Sequence, residues 1–175
     1  MTNQTQSTKS LLETYPFGQI RRNHGLEHAT LHVLAQRHPR LAAAGHSDAG
    51  GFWIVGNISA DEVHAAVDEA LQRLRSGERR LAVHANCGTN LVTAGVMAGL
   101  ASALTMLGAG QGKRDKLERL PLAISMATLA LMVAQPVGLA LQARVTTSGD
   151  PGRIEVVEIR TSQRRRVQAH RVVIR

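Results

Sequence analysis

Two uncharged apolar segments, residues 91–109 and 120–143, restrict the folds open to this chain more than any other feature. Each approaches the ~20 residues a helix needs to cross the hydrocarbon core of a bilayer. Only a short polar link, residues 111–119, separates them, so they are expected to form an antiparallel transmembrane hairpin. In a soluble protein both would have to be buried on all sides, and a chain of 175 residues has little left to cover them. Gly95, Gly99 and Ala103 repeat at four-residue spacing in the first segment, a small-residue pattern that lets helices approach closely in lipid. Arg73, Arg75, Arg79 and Arg80 precede the hairpin and Arg144, Arg153 and Arg160 follow it, against Lys113, Arg114, Lys116 and Arg119 in the link. Seven cations against four place both termini in the cytoplasm.

The remaining sequence suits a small α+β domain. A helix is expected from Pro16 to about Arg37, with Ile20, His24, Leu31 and Ala35 near one face and Glu27 and His28 beside it. Residues 45–51 read as a loop and 52–58 as a strand. Ser59 and Glu62 form a capping box for a helix whose apolar stripe is Val63, Ala66, Val67, Ala70, Leu71 and Leu74, and Gly77 stops it. Residues 81–83 read as a short strand. Residues 154–159 and 167–174 read as a hairpin able to join the 52–58 strand, with a solvated basic turn at Arg164, Arg165 and Arg166. The polar residues 1–14 lack the basic-then-apolar pattern of a secretory signal and read as a disordered leader. The domain limits are then 15–89 with 144–175 for the α+β part and 90–143 for the hairpin.

Composition narrows the partners. The formal net charge is +8 and aromatic residues are 2% of the chain. A basic chain favours anionic partners. Without aromatics to stack bases or a helix carrying several Arg and Asn side chains, membrane lipid is favoured over nucleic acid, and an RNA adaptor ranks last. Self-association into a homo-oligomer is open. Cys87 stands alone, which excludes an intramolecular disulfide.

The chemistry concentrates in two short stretches. His24-Gly25-Leu26-Glu27-His28 is H-x-x-E-H: on a helix the two imidazoles share a face and can reach one metal ion, and the acid can serve as general base, as in the inverzincins. His84 and Cys87, closed by Gly88 and Thr89, form H-x-x-C, a pair of good zinc ligands. A metal site with zinc favoured accounts for His24, His28, His84 and Cys87 together. A nucleophilic Cys87, with His84 or His24 as base, leaves the spacing of His24 and His28 unexplained. His32 extends the helical series but drifts about 40° per four residues, so it is expected to support a ligand or to be neutral. His38, His46, His64 and His170 have no such partners in sequence.

H-G-x-E-H, then H-x-x-C-G-T entering an apolar segment, then Leu141-Gln142 followed by Thr146-Thr147 resembles a family of bacterial membrane proteins of unknown function, labelled metal-dependent enzymes. The resemblance spans about residues 21–151 and implies a protein of the bacterial inner membrane with a metal centre. It carries no substrate. Two functions follow: a zinc-dependent hydrolase acting near the membrane on a peptide or lipid-linked substrate, with Glu27 as the base, or a non-catalytic membrane adaptor whose zinc is held by four protein ligands.

Overall fold

The computed structural model describes residues 11–164 and 167–175. Most of the expected leader, residues 1–10, and Arg165 and Arg166 of the basic turn lie outside the described residues. Leu11–Glu13, at the end of that leader, forms a 3₁₀ turn.

The chain divides into two compact units, one comprising Met1–His84 and Ala143–Arg175, the other Ala85–Gln142. In the first, helices α1 (Phe17–Arg37) and α2 (Ala60–Arg75) accompany strands β1 (Ala43–Asp48), β2 (Gly51–Gly56), β3 (Val156–Arg164) and β4 (Val167–Ile174). The strands form one antiparallel sheet in the order β1-β2-β4-β3. Side chains alternate across a sheet, so Phe52 and Ile54 of β2 and Val172 and Ile174 of β4 point to one face. There they meet Leu26, Ala29, Val33 and Leu34 of α1 and the α2 stripe Val63, Ala66, Val67, Ala70, Leu71 and Leu74 in one buried core. The capping box forms as the sequence indicates, with Ser59 Oγ accepting from the Glu62 N–H and Glu62 accepting from the Ser59 N–H. The C-terminal hairpin joins β2 through β4.

Two local expectations are corrected. Residues 45–51 are not a loop throughout: residues 43–48 form β1, antiparallel to β2. This edge strand, Ala-Ala-Gly-His-Ser-Asp, has no β-branched residue and is held by pairing. Asp48 at its end accepts both arms of the Arg171 guanidinium, at 2.8 and 2.7 Å. Residues 81–83 are not a strand either. Arg79–Ala82 is a 3₁₀ turn, and only Val83 is extended. The carbonyls of Ala82 and Val83 are spent on histidine rings rather than on a strand partner.

The second unit is a helical hairpin, α3 (Gly88–Leu107) and α4 (Lys113–Leu141). Both helices are long and apolar enough to cross a membrane. Large apolar side chains stand out from it: Leu91 is 74% exposed, Leu107 79% and Met132 71%. The small-residue stripe expected to hold the hairpin together is on the other helix. A Cβ added at Gly95 or Gly99 would meet nothing within 4 Å, whereas one at Gly138 would lie 3.1 Å from the Asn90 Cα. The side of α4 that packs is Ala123, Ala127, Ala130, Ala134 and Gly138, spaced three and four apart. Near this end Gln142 is buried and donates to Asn90 Oδ1 at 2.7 Å, while Asn90 donates to the Ala85 carbonyl at 2.6 Å. The chain leaves α4 through a π turn, Gln142–Thr146.

Candidate metal centre

Helix α1 carries His24, His28 and His32 at intervals of four, and the segment after the 3₁₀ turn brings His84 to the same side. The imidazole rings form a row. Centroids are 4.3 Å apart for His24 and His28, 5.6 Å for His28 and His84, and 4.9 Å for His84 and His32. His28 is buried, and His24, His32 and His84 are half-buried. The ligand nitrogens of His24 and His28 come within 4.8 Å of each other.

Backbone carbonyls orient three of these rings. His24 Nδ1 lies 3.0 Å from the Thr146 carbonyl oxygen, and His28 Nδ1 lies 2.8 Å from that of Ala82. A carbonyl only accepts, so each Nδ1 carries the proton and the lone pair falls on Nε2. Metal-binding histidines are commonly held in this way, with one nitrogen donating to a fixed oxygen and the other presented to the ion. His32 is held by its other nitrogen, with Nε2 donating to the Val83 carbonyl at 2.9 Å. Burial, and then the neighbouring His32 and His28, lowers the His84 pKa to about 4, so His84 is neutral at pH 7 and needs no proton removed to bind a metal.

Glycine is required inside the His24–His28 motif for a packing reason. A Cβ at Gly25 would strike the Ser148 carbonyl, 3.0 Å from its carbon, and would press on Ala82 at 3.3 Å. The 146–148 segment thus runs close against α1, and the Ser148 N–H donates to the Arg21 carbonyl at 2.9 Å. Arg21 in turn donates to the carbonyls of Arg144 and Thr147, both at 3.1 Å. Thr146 is held between these anchors, with its carbonyl turned to His24. The late Thr146-Thr147 pair therefore acts on this site through its backbone, which side-chain reasoning does not find.

Glu27 is 4% exposed and faces β1, where its carboxylate accepts from the Ser47 hydroxyl and occupies space that a side chain at Gly45 would fill. Burial raises its pKa above the ordinary carboxylate value, while the Ser47 bond and the charges of His24 and His46 act against that rise. Cys87 belongs to the second unit. It caps the N-terminus of α3, and its sulfur accepts from the Thr89 N–H at 3.4 Å. The other histidines lie elsewhere. His38 and His64 pair with Glu62 and Asp68, His46 is exposed on β1, and His170 is a core residue bonded to Thr161 and to the Ile58 carbonyl.

The model of a family described as a domain of unknown function, DUF6391, matches residues 19–159. An uncharacterised protein of Picosynechococcus sp. is 35% identical over an alignment of 139 residues, and the match covers 74% of this chain and 66% of that protein. The chain thus spans slightly under two thirds of the length of that relative. No solved structure matches the chain. The matched region contains the α1 motif, the His84–Thr89 stretch and the hairpin, and the chain belongs to the DUF6391 family, an uncharacterised bacterial family.

Proposed function

We propose that this chain is a membrane-anchored, zinc-dependent hydrolase whose ion is held first by His24 and His28. The observation that carries this is the pair of imidazoles one helical turn apart, each with Nδ1 fixed on a backbone carbonyl, which puts the lone pair on Nε2. The set is imidazole nitrogen, a donor type that suits zinc and its transition-metal neighbours better than magnesium or calcium. A third ligand comes from the His84–Cys87 pair. Cys87 follows His84 by three residues, the H-x-x-C spacing at which imidazole and thiolate can serve one zinc ion. Zinc supplies a Lewis acid and acidifies water. Glu27, adjacent in sequence to His28 and held at a raised pKa, is the proposed acceptor of the proton. A peptide or a lipid-linked molecule is the substrate class that suits a membrane location.

The alternative, a structural zinc in a non-catalytic adaptor, is favoured by one observation. The carboxylate of Glu27 is bound by Ser47 and packed against Gly45, an arrangement that would also serve to fix α1 to β1. Four protein ligands, His24, His28, His84 and Cys87, would then leave no position open for water.

The hairpin is proposed to span the bacterial inner membrane with both termini in the cytoplasm. Side chains such as Leu91, Leu107 and Met132 need an apolar surrounding, and lipid provides it. Expressed protein should therefore stay in the membrane pellet through an alkaline carbonate wash and come out only with detergent. Elemental analysis of that preparation, made without added metal, should find at least one zinc per chain. Recovery as a soluble, metal-free, folded monomer that refuses zinc would contradict both the anchor and the metal centre.

A further inference from the structure

We infer that His32 and His84 form a second metal position, for a second zinc or a similar divalent transition ion, beside the one at His24 and His28. It rests on the metal reading above and assigns His84 to the second ion, leaving Cys87 as the proposed further ligand of the first. Two imidazoles on one tetrahedral zinc, each with Zn–N near 2.0–2.1 Å, have ring centroids about 5 Å apart. The His32–His84 separation of 4.9 Å fits that geometry without any movement of the helix. The row also explains why one ion cannot use every ring. Positions four apart on a helix rotate by about 40°, so His32 is turned about 80° from His24 and faces a different point in space.

The backbone treats His32 as it treats His28. Ala82 and Val83 are consecutive, and their two carbonyls accept from His28 Nδ1 and His32 Nε2 at 2.8 and 2.9 Å. Anchored at opposite nitrogens, the two rings present opposite ones: Nε2 from His28 and Nδ1 from His32. The rings of His28 and His32 flank His84, with centroids 5.6 and 4.9 Å away, a nitrogen-rich setting that suits a transition metal better than a hard cation. With two protein ligands, the second ion keeps positions for water or substrate and is held less tightly than the first.

The test is a zinc titration by calorimetry of the full chain in detergent micelles, after chelator stripping, with wild type, His32→Ala, His32→Gln and His24→Ala. Wild type is expected to bind two ions in a tight and a weaker step. Both His32 variants are expected to lose the weaker step and keep the tight one. His24→Ala should lose the tight step alone. Glutamine in place of His32 retains an N–H for the Val83 carbonyl, so it removes the ligand while sparing the anchor, and circular dichroism checks that each variant is folded. A wild type that binds one ion overturns the second position and leaves the first intact. Two ions in wild type and still two in both His32 variants overturns it as well. No zinc binding at all overturns the metal centre together with this inference.

Discussion

Replacing His28 with glutamine is expected to weaken zinc binding by on the order of 10²- to 10³-fold, as loss of one ligand from a multi-ligand zinc site should. His28 is 2% exposed, so alanine would also leave a cavity and strip the Ala82 carbonyl of its donor. Glutamine is the more informative change because it fills much of the volume and keeps an N–H for that carbonyl. A chelator competition read alongside thermal unfolding separates the two effects. The expected result is a large loss of affinity with a metal-free melting temperature within a few degrees of wild type. Equal zinc affinity in the glutamine variant would remove His28 from the site. Acidification should act in the same direction as the substitution. Zinc needs the imidazole lone pair, so protons compete with the metal and affinity should fall as the pH is lowered.

Glu27→Gln is the second change with a large expected effect. If Glu27 is the base, turnover should fall by roughly 10²- to 10⁴-fold, since the amide preserves size and polarity but cannot take a proton. Metal content should not follow. The carbonyls of Thr146 and Ala82, rather than Glu27, receive the Nδ1 protons of His24 and His28, so the acid is not needed to fix either of those nitrogens. If it nevertheless positioned a ligand, affinity would drop by ~10- to 100-fold. The amide can still accept from Ser47, so the α1–β1 contact persists and the fold should survive. Hydrolysis of p-nitrophenyl acetate by zinc-loaded protein serves as the activity probe. A Glu27→Gln protein that keeps full activity, or one that sheds its metal, would sink the catalytic role and favour the structural alternative.

The parts legible in the sequence are those whose determinants are local or periodic. Helix α1 starts beside Pro16 and runs to Arg37, α2 begins at the Ser59–Glu62 box, and its stripe is the buried set. Each follows from residues within a few positions of one another. Strand β1 is not legible because Ala43–Asp48 has neither alternation nor β propensity, and its place is given by pairing with β2 and by Arg171, far along the chain. In α3 and in the part of α4 beyond Arg119 the residues are uncharged and mostly apolar, so hydropathy carries little information about which face packs. The glycines of α3 stand out by their spacing, while the alanine stripe of α4 does the packing. Among the site residues, the convergence of His24 and His28 follows from helical spacing alone. The anchoring of His32 does not, since the carbonyl that holds it lies 51 positions away, and backbone groups leave no signature in residue identity.

X-ray absorption at the zinc edge, on wild-type protein in detergent loaded with one equivalent of zinc, tests the central claim most directly. The expected spectrum shows at least two imidazole ligands with Zn–N near 2.0–2.1 Å and one sulfur near 2.3 Å, the distances zinc takes with histidine and cysteine. The sulfur should vanish in Cys87→Ser, and the imidazole signal should shrink in His24→Ala. A spectrum of oxygen ligands alone, unchanged in both variants, would contradict a metal centre built on His24 and His28.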